Sequence, residues 1–270
     1  LYVKQERSKD AADAFNGFAR NNPVHAQSPV MQAKVIEIYE KNGFVNQAIE
    51  ARKEYVARYG RTSEFHRVNP DGWEKAQPLV KTRLAELARH YHAMAQKTKS
   101  SADSQEAVRW YREYLTSFPN DPKAAESSFL LAELLYENGR FAEAATEYEK
   151  VAYGSAGFAR AAEAGYGALL SYGQLIKKAT APEQPALQRA TVASALKFAQ
   201  AFPTDSRNGL VLTDAAEKLY ALKDTEQAGA VAQRVVELKP PAADAQRRVA
   251  WTVIAYSSFD RHAYGVAEKA

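Results

Sequence analysis

"TSFPNDPKAAESSFLLAELLYENGRFAEAATEYEKVAY", residues 116–153, decides the fold. From Ala125 to about Gly154 it reads as two helices and a turn. Leu131, Ala132 and Leu135 share one face of the first helix. Gly139 follows, where a left-handed glycine ends a helix at little steric cost. Ala144, Tyr148 and Val151 then form a second apolar stripe at steps of four and three. About four residues join the helices, so they must lie antiparallel and adjacent. Small Ala132 and Ala144 let the backbones approach, and Leu135 and Tyr148 fill the space around them.

The pattern recurs outward from this hairpin. Ala107 and Pro119 stand twelve residues apart, as do Ala11 and Pro23, and Ala228 and Pro240. Thr191 takes the alanine's place before Pro203, while Gly60 and Ala156 replace the proline after Ala48 and Ala144. The steps Ala11 to Ala48, Ala107 to Ala144 and Thr191 to Ala228 are each 37 residues. A fixed period of this size marks a solenoid, in which each unit buries its apolar face only against its neighbours. The proline lacks an N–H and cannot continue a helix, so it ends the second helix of each pair. Asn120 and Asp121 are then good caps for the next one.

Two steps are longer. Ala48 to Ala107 is 59 residues and Ala144 to Thr191 is 47. The extra residues fall near 60–78 (with more between Gln96 and Gln105) and at 177–187. The units run about 1–24, 25–60, 73–120, 122–156, 158–204, 207–241 and 243–270, as one continuous array. The pattern starts and stops inside a unit without a polar cap, so flanking sequence is expected on both sides.

Composition is that of an ordered chain: 270 residues, 25% charged and 46% hydrophobic. Net charge is +4, from 36 basic and 32 acidic residues with no basic stripe, which argues against nucleic acid as partner. There is no cysteine, so disulfides and thiolate metal sites are excluded. No apolar run is long enough to span a bilayer.

The hairpins resemble the tetratricopeptide repeat (TPR) family. Leu84, Leu87, Ala88 and Tyr91 reproduce the spacing of that family's helix A. Ala107, Tyr111, Tyr114 and Pro119 match its helix B, as do Ala11, Phe15, Phe18 and Pro23. The resemblance covers nearly the whole chain. It implies an all-α solenoid of antiparallel helix pairs stacked in a right-handed superhelix. The 37-residue period is similar to that of the BamD and CpoB type of bacterial outer-membrane lipoproteins. That likeness implies a periplasmic or outer-membrane-associated protein; a cytoplasmic chaperone or regulator is the alternative.

No catalytic constellation emerges. His90 and His92 are two apart on a helix and point away from each other, and His25, His66 and His262 have no ligand spacing around them. Phosphate loops and nucleophile elbows are absent from the sequence. The acidic residues recur at the spacing of a solvated helix face, as in Glu143 and Glu147. The reading is therefore a non-enzyme without cofactor or metal.

Most of the fifteen tyrosines occupy packing stripes. Tyr136 and Tyr220 instead follow the apolar helix-A residues Leu135 and Leu219, a place the resemblance puts on a concave groove. Residues 79–118 carry seven basic and four acidic residues, and residues 119–150 seven acidic and three basic. The alignment places Arg89 and His92 on one groove helix and Glu126, Glu133, Tyr136 and Glu137 on the next, with Glu217 and Tyr220 farther along. Such a face would orient a peptide or protein segment. The expected function is a protein-binding scaffold. Its rivals are an oligomerisation or assembly module of an export or secretion machine, self-associating through Leu1–Phe18 or Trp251–Ala270, and a delivery array for a catalytic part elsewhere.

Overall fold

The computed structural model describes residues 2–270, with side chains from Arg7 onward. Among the described residues every regular element is a helix. Consecutive helices pack as pairs, the arrangement of an all-α solenoid. The chain divides into two compact units, Leu1–Ser127 and Ser128–Ala270.

The first unit holds α1 (Tyr2–Asn21), α2 (Ser28–Lys41), α3 (Val45–Tyr59), α4 (Glu64–Val68), α5 (Pro70–Thr98) and α6 (Ser101–Ser117). The unit boundary falls within α7 (Ala124–Glu137). The second unit continues with α8 (Phe141–Gly154), α9 (Ala161–Lys178), α10 (Gln184–Ala201), α11 (Asn208–Ala221), α12 (Thr225–Val236), α13 (Asp244–Asp260) and α14 (Tyr264–Ala267). In the first unit α1 packs on α2, α2 on α3, α3 on α5 and α5 on α6. In the second each helix from α8 to α14 packs on the next.

The punctuation works as its chemistry requires. Helices α1, α6 and α10 each stop two residues before a proline (Pro23, Pro119 and Pro203), and α12 ends at Val236, ahead of Pro240. The α7–α8 turn uses Gly139 at φ 71°. There the Gly139 N–H donates to the Tyr136 carbonyl at 3.0 Å and the Arg140 N–H to the Leu135 carbonyl at 2.9 Å, closing the helix end. The same turn recurs between α11 and α12 and between α13 and α14, with a side chain in the left-handed region: Lys223 at φ 64° and His262 at φ 62°.

The alanine seams are fully buried: Ala132, Ala144, Ala164, Ala168, Ala215, Ala216, Ala228 and Ala232 have no exposed surface. At the α8–α9 seam Tyr148 lies so close to Gly167 that a Cβ there would sit 2.9 Å from the phenol ring. A side chain at this position would force the phenol ring or the backbone to shift.

The longer inter-repeat stretches are built into helices. Residues 60–78 form α4 and the first turns of α5. Buried Phe65 meets the Tyr59 ring edge-on at 5.1 Å, and the Trp73 indole N–H donates to the Tyr59 carbonyl at 3.0 Å. This segment satisfies the end of α3. Residues 177–187 complete α9, make one turn and begin α10. The Glu183 carboxylate accepts from the Thr180 N–H and hydroxyl, both at 2.8 Å, and these bonds hold it below the usual carboxylate range.

Candidate functional site: the exposed faces of α9, α11 and α13

In the second unit α9 buries Ala164, Gly165, Ala168 and Ser171. Helix periodicity then turns Leu170 outward, and it stays 45% exposed. On α11 the buried residues Val211, Leu212, Ala215, Ala216 and Leu219 turn Leu210 outward in the same way, and it is 49% exposed. Between the two helices lies a groove of about 230 Å³. Tyr166, Leu169 and Gly173 line its α9 wall, Val211, Asp214 and Lys218 its α11 wall, and Thr191 of α10 reaches it as well.

Charge is distributed unevenly around this groove. The Arg160 guanidinium grips Glu163 with two bonds of 2.8 Å and lies 3.8 Å above the Phe129 ring. These bonds hold the Glu163 carboxyl below its ordinary range. Glu133 is raised instead: burial dominates, Arg160 opposes it, and neighbouring Glu163 and Glu137 add to it. Arg207 forms a two-pronged pair with Asp205, at 2.8 and 2.6 Å, and stacks 4.9 Å from the Tyr166 ring. Lys218 pairs with Asp214 one turn away. In the Arg160–Glu163 and Lys218–Asp214 pairs the carboxylate is the more exposed member: 54% against 36%, and 49% against 20%.

Toward α13 the face becomes aromatic. The Tyr220 ring stacks on Tyr256 at 6.2 Å with 27° between planes, and its hydroxyl donates to Asp260 at 3.1 Å. Tyr256 and Phe259 are 57% and 60% exposed.

The residues predicted from sequence divide among several places. Tyr220 belongs to the aromatic end of this face, and exposed Glu217 lies on α11 beside it. Tyr136 is half-buried against Phe141, ring to ring at 5.2 Å. Glu133 shares Arg160 with Glu163, and Glu137 is exposed at the end of α7. Arg89 and Glu126 are exposed in the first unit, Arg89 bonded to the Ala85 carbonyl of its own helix at 3.2 Å. The prediction for His92 is corrected. It is 7% exposed, because it continues the buried stripe of Leu84 and Ala88 toward α6, where its Nδ1 meets the Tyr111 hydroxyl at 3.0 Å. It cannot touch a partner from there.

Sequence reasoning missed Leu170, Leu210, Tyr256 and Phe259. A signal existed: Leu169–Leu170 and Leu210–Val211 are adjacent apolar pairs. A helix with one buried stripe can place only one member of each pair in it.

Among the described residues no group of three or more His, Cys, Asp or Glu side chains could hold a metal ion. No described helix is long and apolar enough to cross a membrane.

No protein-family profile matches the sequence, and no curated protein matches it. Among solved structures, that of BtubC (BKLC) from P. vanneervenii is similar at a TM-score of 0.32 and 13% identity, covering 100% of this chain and 87% of that one.

Proposed function

We propose that this chain is a non-catalytic interaction scaffold that holds a segment of another protein against α9, α11 and α13. The observation that carries the reading is the pair Leu170 and Leu210, each nearly half exposed, on either side of an open apolar groove. Rigid packed helices present these side chains, so a partner gains contact area without the scaffold losing much freedom. The repeat spacing supports a TPR-like scaffold, and its likeness to the outer-membrane lipoprotein type supports a role in the bacterial envelope.

A photo-crosslinking residue placed at Leu170 or Leu210 tests this reading. It should trap a discrete partner from envelope extract. Replacing both leucines by serine should abolish trapping of that partner from a distant crosslinker position while helical circular dichroism is retained. Tyr220→Ala, at the aromatic end of the same face, should weaken capture. Unchanged capture by the serine pair would refute the reading.

A second reading has its own observation. Tyr256, Phe259, Tyr264 and Val266 are each more than half exposed within one short stretch, and Phe259 and Tyr264 touch at 5.5 Å. Such a patch suits self-association. If it operates, the chain sediments as a dimer and Phe259→Ser with Tyr264→Ser restores the monomer. The other stretch expected to self-associate, Leu1–Phe18, begins outside the described residues; Phe18 itself is 38% exposed.

A further inference from the structure

The turn between α8 and α9 departs from the pattern of the other units. Ala156 stands where four of them carry Pro23, Pro119, Pro203 and Pro240, and from Gly154 to Gly157 no side chain is larger than that of Ser155. Room is left at the ends of α8 and α10, where a cavity of about 560 Å³ opens to solvent. Its floor is aromatic: the Tyr153 and Phe202 rings stack at 6.1 Å with 27° between planes. Gly165 gives both rings space, since a Cβ there would stand 3.2 Å from Phe202 and 3.3 Å from the Tyr153 hydroxyl. Ala156 and Ala201 form exposed walls on opposite sides. Among the described residues that line the cavity, Lys197 alone carries a charge at neutral pH. Its ammonium lies 4.1 Å from the centre of the Tyr153 ring and makes no ion pair with any described residue. Carboxylates on these elements are engaged elsewhere. Glu149, one turn before Tyr153, accepts from the Ser194 hydroxyl at 2.7 Å, and Asp205, just past Phe202, holds Arg207 at 2.6 Å.

We propose that this cavity binds a small organic carboxylate with a flat apolar body. A concave site with apolar walls and one convergent charged group is the usual form of a small-molecule site. The Tyr153–Phe202 floor takes the apolar body by stacking, and the unpaired Lys197 ammonium takes the carboxylate. A cationic ligand of the same shape meets Lys197 as like charge. The site is built on α8 and α10 and is independent of the α9–α11 groove.

A ligand NMR titration of the whole chain with phenylacetate tests this, beside neutral phenylacetamide, cationic phenethylamine and ringless acetate. Phenylacetate should bind about threefold more tightly than the amide, the scale of an ion pair at a solvated rim, and the amine and acetate more weakly still. Lys197→Gln should remove the advantage of the acid and leave amide binding unchanged. Ala156→Phe and, separately, Ala201→Phe fill the cavity from solvated positions and should abolish binding while helical circular dichroism is retained. Leu210→Ser, in the other groove, should change nothing. Equal binding of acid and amide by the unmodified chain would overturn the charge assignment and the proposal with it. Binding that survives both phenylalanine variants, or that Leu210→Ser removes, would put the ligand elsewhere and do the same. Failure of phenylacetate to bind at all would also overturn the proposal, and would leave the scaffold reading standing.

Discussion

The two units bury different materials. In the first, an apolar core built on residues such as Tyr55, Leu84 and Leu87 also encloses Gln32, Arg83 and His92. Gln32 is fully buried, and Arg83 of α5 bonds Glu86 of the same helix at 2.8 Å and Glu40 of α2 at 3.3 Å. Arg52 of α3 reaches the same two carboxylates at 2.8 and 3.2 Å. The second unit is seamed with alanine around Phe198, Leu212 and Val235. The difference teaches what each half has to defend. An ion network at the edge of a core is specified by pairing, and removing one member leaves its partners short of a counter-charge. An alanine seam is specified by volume, and any added or removed carbon is felt at once.

The largest effect is expected in the second unit. Phe198 is fully buried and touches Tyr166 and Phe202, so Phe198→Ala should cost about 3–5 kcal/mol in urea unfolding. A loss under about 1 kcal/mol would mean that this core collapses around the gap, contrary to a volume-specified seam. Next comes Gly165→Ala, because its new methyl would sit 2.9 Å from Phe198 and 3.2 Å from Phe202; about 1–3 kcal/mol of destabilisation is expected.

The first unit should answer to charge instead. Arg83→Met keeps much of the bulk but leaves Glu40 and Glu86 sharing Arg52 alone. A loss of about 1–3 kcal/mol is expected, below that of a fully buried pair because both carboxylates are partly solvated. If Arg83→Met proves neutral, the network of Arg52, Arg83, Glu40 and Glu86 contributes nothing and the contrast fails. Tyr55→Phe should move the other way. Its hydroxyl is buried without a hydrogen-bond partner, and burial pushes its pKa up strongly, so removing the oxygen should stabilise by roughly 1 kcal/mol.

The smallest effect concerns pH. Hydrogen bonding to Arg207 holds Asp205 below its ordinary value of 3.8. The folded state therefore binds that proton less readily than the unfolded chain. The stabilisation is complete above the unfolded pKa and is lost as pH falls through the depressed folded one. Asp205→Asn should flatten this acid limb in a series of thermal melts between pH 5 and pH 2. An unchanged limb would show that the pair contributes nothing to folding.

Much of the scaffold was legible before any coordinates. Proline and glycine mark helix ends through their own backbone chemistry, and the alanines at Ala132 and Ala144 mark seams because only a small residue fits there. The left-handed turns at Lys223 and His262 were not legible, since neither residue advertises that conformation. They are held there by the packed helices on either side, against a local preference of about 1–2 kcal/mol. The site was legible only at Tyr220 and Glu217. His92 looked like a surface residue because polarity is a poor guide when a hydroxyl such as Tyr111 waits inside to receive it.

By itself, then, the sequence determined helices, hairpins, a repeat period and which small residues meet, because those follow from local hydrogen bonding and the burial of one stripe per helix. Only the tertiary structure decided that Leu170 and Leu210 are left facing solvent across a shared groove, and that Gln32 and Arg83 go inside. Exposure is a property of what packs opposite, and the packing partner often lies dozens of residues away.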